Sequence, residues 1–147
     1  MARKAPLFIN GKFISAGPTA VHRVALELVK ALAPLISDRE LCLLVPPGLA
    51  QLAHDPGIPP HPVGGLKGKA WEQISLPWHA RGGVLLNLCN RAPLVLRNGL
   101  TLLHDAQAFT APRSYAFAGR LAGQWQARAA GRRQLGLLTV SDFAKSE

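Results

Sequence analysis

Apolar residues gather along the chain into short runs of two kinds, separated by glycine, proline and polar breaks. Leu41–Val45, Val84–Leu88 and Leu100–Leu103 are predominantly apolar, of strand length and read as buried strands, and the lack of alternation in Leu41–Val45 predicts burial on both faces and parallel pairing. The second kind repeats at helical spacing. Val21, Val24, Ala25, Leu28 and Leu32 make one stripe on a helix that Thr19 caps and that runs to about Ala33, ahead of Pro34. Phe117, Leu121, Trp125 and Ala129 fall at successive four-residue steps in a stretch from about Arg113 to Arg133. They predict a packed stripe beside Arg120, Arg128, Arg132 and Arg133.

The lesser segments complete an alternation of strands and helices. Leu7–Ile9 and Lys12–Ile14 flank Asn10-Gly11, which predicts a short hairpin or a bent first strand. Leu49–Gly68 is rich in proline, glycine and histidine, with a short helix expected at Leu49–Ala53 and a strand near Pro62-Val63. Ala70–Leu76 predicts a short helix stopped by Pro77, and Asn90–Asn98 a loop. Leu137–Val140 predicts the last strand, and Ser141 the N-cap of a helix with Asp142 at its favourable end. About two turns of helix before Glu147 are too few to cover a sheet face, so the chain is expected to be one piece of a larger architecture. The fold class predicted is α/β: a Rossmann-like, mostly parallel sheet with helices on both faces, in a single domain over residues 1–147.

The stretch that stands apart is LTLLHD, Leu100–Asp105, a buried-strand pattern that ends in two polar side chains. In an open α/β sheet ligands bind beyond the carboxyl ends of the strands, and a central parallel strand would carry His104 and Asp105 there. His104 could then bond a hydroxyl or polarise a reacting group, with Asp105 orienting it. The plainer reading is a turn-capping aspartate beside a hydrogen-bonded histidine. A second feature is Gly17-Pro18-Thr19 ahead of the first helix, where backbone N–H groups can face an anion with His22 and Arg23 one turn away. An ordinary loop before a capped helix accounts for it equally well.

Charge narrows the partners. Seventeen Lys and Arg against eight Asp and Glu give +9 over 147 residues, which favours something anionic: phosphate, nucleic acid or a lipid surface. Cys42 and Cys89 lie in apolar runs without CxxC spacing, as expected in a reducing, cytoplasmic setting. Pro6–Ile9 is too short for a signal core, and no run approaches the roughly twenty residues of a spanning helix. The phosphate-loop, dinucleotide, zinc-protease and hydrolase-elbow signatures are missing, and no two of the five histidines share ligand spacing, so no metal site is expected.

Taken in order, FINGKFISAGPTAVHRVALELVKAL, WEQISLPWHARGGVLLNLCNRAPL, LTLLHDAQAFTAPRSY and LLTVSDFAKSE resemble the amino-terminal domain of family-four glycosyltransferases, which have the GT-B fold. The resemblance covers nearly the whole chain. It implies the acceptor-side half of a two-domain enzyme that moves a sugar from a nucleotide-sugar donor to a saccharide or lipid-linked acceptor, without metal or cofactor and with retention of configuration. It further implies a carboxyl-terminal donor domain carrying paired glutamates, without which this half would not turn over. Carried over to this sequence, Gly17, Thr19 and Arg23 would face the donor diphosphate. His104 and Asp105 would reach the transferring sugar or acceptor hydroxyl, and Ser141 would open the helix after the TVS strand. Ala20 stands where the family commonly has a second glycine, which puts close backbone approach to a phosphate in doubt.

Two other readings compete with that one. A nucleic-acid-binding module would use the charge and Trp125 among arginines, but the basic residues are spread over several elements without a stacking platform, so no nucleic-acid partner is expected. A non-catalytic interaction domain would keep the fold without the activity. Peripheral contact with an anionic membrane at its inner face is compatible with the charge.

Overall fold

The computed structural model describes residues 4–15, 19–49, 55–104 and 117–140. The apolar runs become strands of one sheet, joined by shorter pieces at each side. β1 (Leu7–Asn10), β2 (Leu41–Val45), β3 (Pro60–Pro62), β4 (Val84–Asn87), β5 (Gly99–Leu103) and β6 (Gly136–Thr139) lie in the order β3-β2-β1-β4-β5-β6. Every pairing is parallel, which makes this an α/β fold of the doubly wound, Rossmann-like kind. Pro60 and Pro62 sit in an edge strand, the place in a sheet where a missing N–H is tolerated.

Helix α1 (Ala20–Leu32) links β1 to β2. Helix α2 links β3 to β4 and is a continuous run of three pieces, Gly68–Ala70, Trp71–Ser75 in π-helical geometry and Leu76–Ala80. Helix α3 (Phe117–Arg133) precedes β6. The two-residue period of the strands then sorts the core. Ile9, Leu43, Val45 and Leu86 join Ala25 and Val29 of α1 on one face. Phe8, Cys42, Leu44 and Leu85 join Trp71, Leu76 and Ala80 of α2 on the other. Burying a side chain such as Leu43, fully enclosed here, is worth about 1.5–3 kcal/mol, so these two layers supply most of the fold's driving force.

The connection from β4 to β5 has no helix. Leu88 to Asn98 instead packs Ala92, Pro93 and Leu96 into the protein and is fastened by side-chain amides. Gln73 of α2 donates to Ala92 O (3.3 Å) and accepts from Leu94 N (3.0 Å), while Asn98 donates to Ala80 O (3.3 Å). These bonds do for this segment what an intrahelical ladder would otherwise do.

Four expectations change. No hairpin forms at Asn10-Gly11: Gly11–Ser15 is a 3-10 turn, because β1 pairs with β2 and β4 and has no need of an antiparallel partner. Pro77 does not stop α2, since it falls in the first turn of the piece that follows the π segment, where its missing N–H is absorbed. The buried line of α1 is Ala25 and Val29, and Val24 is 42% exposed. In α3, Leu121 and Trp125 are exposed while Ala130 is buried, so these two members of the expected stripe are not on the face turned inward. The short helix expected at Leu49–Ala53 lies, after Leu49, outside the described residues, as do residues 105–116.

Gly11 sets how sharply the chain leaves β1. A Cβ at this position would stand 2.6 Å from both Leu44 O and Val45 Cγ1 of the neighbouring strand. Gly11→Ala is expected to destabilise the fold by about 1–3 kcal/mol, the usual effect of overpacking, in urea unfolding. Gly65→Ala, where a Cβ meets nothing within 4 Å, should change stability by less than about 0.5 kcal/mol.

Candidate functional site

All six strands run the same way, so everything that follows a strand end collects at one edge of the sheet. The order reverses between β1 and β4, and the crevice beyond that pair is where open α/β sheets bind ligands. Asn10 ends β1 and Asn87 ends β4, and the two side chains meet there. Asn10 Nδ2 donates to Asn87 Oδ1 at 3.1 Å, and Asn10 Oδ1 accepts from the backbone N–H of Lys12 at 3.2 Å.

From this pair a polar row crosses the sheet on the α2 face. Asn87 Nδ2 donates to Thr101 Oγ1 (3.4 Å), Thr101 donates to Gln134 Oε1 (2.6 Å), and Gln134 Nε2 donates to Pro93 O (3.3 Å). Each member donates to the next, from β1 across β4 and β5 to Gln134 and then to the β4–β5 connection, so each bond polarises the next. Asn87 and Thr101 are each only 1% exposed, and such groups are tolerable in a core only when paired.

Glu72 enters the row from α2. The π-helical segment turns Trp71 and Glu72 inward together: the indole Nε1 donates to Val63 O at 2.8 Å, and the carboxylate accepts from Asn10 Nδ2 at 3.4 Å. Its other oxygen is ion-paired with the Lys12 ammonium, which reaches in from the turn after β1. Extra-residue π segments of this kind are frequent where a helix must place a side chain for function. A carboxylate as enclosed as Glu72 needs such partners, since a lone buried charge is not tolerated.

His104 follows β5 directly and is tied to the loop after β4. Its backbone N–H donates to Asn90 Oδ1 (2.6 Å), and its ring Nε2 lies 2.6 Å from Leu88 O. A carbonyl oxygen only accepts, so Nε2 carries the proton and Nδ1 is the nitrogen able to accept one. Asn90 itself is held at φ 57°, a left-handed conformation that asparagine adopts more readily than most residues.

Of the residues singled out from sequence, Thr19 caps α1 with its hydroxyl accepting from His22 N at 3.3 Å. Arg23 is exposed in the first turn of that helix. Among the described residues no hydrogen bond joins Thr19 or Arg23 to His104 or to the polar row. Gly17, Asp105 and Ser141 lie outside the described residues. Sequence reading passed over Asn10, Lys12, Glu72, Asn87, Thr101 and Gln134. The signal for one of them was present, since Asn10 ends an apolar run as His104 does. Among the described residues no group of three or more His, Cys, Asp or Glu is placed to hold a metal ion.

Burial pushes the Cys89 thiol up to about 12, and the charge of Glu72 acts in the same direction. Burial also raises Cys42 to about 11, helped by its hydrogen bond to Glu40. Both stay protonated and are poor nucleophiles.

The chain has no match among family models, among curated proteins or among solved structures.

Asn87→Leu would take one hydrogen bond from the Asn10 amide, which keeps Glu72, and one from the Thr101 hydroxyl, which keeps Gln134, and each buried hydrogen bond lost costs about 0.5–1.5 kcal/mol. A loss of that size in urea unfolding is expected, and a change below about 0.5 kcal/mol would show that the row does not hold the strands. The two thiols should resist iodoacetamide at about pH 8 until the protein is unfolded. Because the folded state holds these protons more tightly than the unfolded chain, stability should be level below about pH 9 and fall as pH rises above it, which thermal melts across pH would read.

Proposed function

We propose that the chain is one Rossmann-like wall of a sugar-transfer cleft: the acceptor-side domain of a glycosyltransferase that uses a nucleotide-sugar donor and acts in the cytoplasm. The observation that carries this reading is the set of Asn10, Asn87 and His104 at the carboxyl edge of the three adjacent strands β1, β4 and β5. The two buried amides, bonded to each other, make the polar floor of the crevice, and the half-buried imidazole with its proton on Nε2 is the group suited to meet a hydroxyl. They offer no strong nucleophile and call for no metal.

In this proposal His104 Nδ1 accepts a hydrogen bond from an acceptor hydroxyl, with Asp105 beside it. The 13-residue α1 starts at the same edge, so its positive end and Arg23 favour the donor diphosphate, a role proposed for Gly17 and Ser141 as well. Basic side chains and a helix dipole stabilise the charge that develops on a leaving diphosphate, which suits a metal-independent, retaining transfer. A saccharide or lipid-linked acceptor would lie over the polar row, and a second domain would bring the rest of the donor site.

The test is sugar transfer by the chain in its full natural reading frame, assayed with panels of uridine- and guanosine-diphosphate sugars. His104→Ala is expected to lower transfer by about 10²- to 10⁴-fold while leaving the melting temperature within a few degrees. Wild-type rates in this variant would remove His104 from the chemistry, and absence of transfer with every donor would favour a non-catalytic domain.

A further inference from the structure

The outward face of α2 has a composition that the crevice does not explain. Ile74 and Trp78, one helical turn apart, are 62% and 64% exposed, although the inward face of the same helix encloses Trp71 and Leu76 completely. Adjacent large apolar side chains left in water mark a contact surface. Arg81, a turn further on, lies over the Trp78 ring at 4.0 Å from its centroid. Gln73 holds the β4–β5 loop beside this helix, and there Val95 is 68% exposed between Arg91 and Arg97, themselves exposed.

The charge around these residues is of one sign. From residue 56 to residue 104 the sequence has five basic residues, Lys67, Lys69, Arg81, Arg91 and Arg97, against the single acid Glu72. Glu72 is buried and ion-paired with Lys12, so it does not offset them at the surface. Among the described residues the face thus has an apolar centre, a basic rim and no exposed carboxylate.

We infer that this face of α2 and the adjoining loop dock on an anionic phospholipid surface. Ile74 and Trp78 enter the boundary between headgroups and acyl chains, where an amphipathic indole is favoured, and the basic side chains lie over the phosphates. Nucleic acid fits less well, because its polar, charged surface gives Ile74 and Val95 nothing to bury against. Attachment is at the surface: among the described residues no helix is long and apolar enough to cross a membrane. The inference rests on this face alone and does not need the sugar-transfer reading, though a lipid-linked acceptor would be presented by the same bilayer.

Co-sedimentation with vesicles tests it without any assay of transfer. The protein is expected to pellet with phosphatidylcholine vesicles containing about one third phosphatidylglycerol, and only weakly with phosphatidylcholine alone. Ile74→Ser with Trp78→Ser should weaken partitioning at least about tenfold, and Arg81→Gln with Arg97→Gln by about fivefold for each charge removed. Trp125→Ser, on the other exposed tryptophan, should leave it unchanged. In Trp125→Phe protein, binding should shift Trp78 emission to the blue, since Trp71 is already enclosed. All five altered side chains are exposed, and unchanged melting curves would verify the fold. Absence of binding to the anionic vesicles, equal binding by the Ile74/Trp78 variant, or tighter binding to single-stranded RNA lost in that same variant would overturn the inference.

Discussion

A parallel sheet covered on both faces has little room for polar side chains, and this protein places them in one hydrogen-bonded row near the carboxyl edge. Asn10, Asn87 and Thr101 stand on neighbouring strands at adjacent register positions, and Gln134 continues the row from the end of α3. With each amide donating onward, every buried group is paired, and a slip of one strand by one residue would break several bonds at once and turn apolar side chains to the wrong face. The row therefore ties strand register to the crevice: the contacts that align β1, β4 and β5 also line the place where a ligand would sit.

Glu72 links the row to the helical layer. Its carboxylate could not be enclosed without Lys12 and Asn10, and Lys12 is brought within reach by the 3-10 turn that Gly11 permits. The π-helical segment allows α2 to send Trp71 and Glu72 inward while presenting Ile74 and Trp78 outward. One helix thus has three jobs. It seals a core layer, braces the crevice floor and carries the exposed apolar face.

His104 illustrates how position and chemistry separate. Its place at the end of β5 follows from the strand pattern, but its two hydrogen bonds to Leu88 and Asn90 depend on the irregular β4–β5 loop. Those bonds fix the tautomer, which decides which ring nitrogen can meet a substrate. They also supply the plainer role, since the same ring fastens that loop. Both roles use the same geometry, with Nε2 holding the loop and Nδ1 turned to chemistry in the proposed function.

What the sequence determined by itself was local. Predominantly apolar runs specified β2, β4 and β5 almost to the residue, Thr19 specified the start of α1, and the absence of alternation in Leu41–Val45 pointed to parallel pairing, because period and capping are properties of neighbouring residues. The partners of Asn10, Glu72, Thr101 and Gln134 were decided only by tertiary structure, since they are separated by 14 to 77 residues along the chain. Asn10-Gly11 shows the difference: as a dipeptide it favours a hairpin, and pairing with β2 and β4 overrules it. The same holds for α3, whose four-residue spacing of Leu121 and Trp125 describes a face of a helix. Whether that face turns inward is settled by what packs beside it, and here it remains in water.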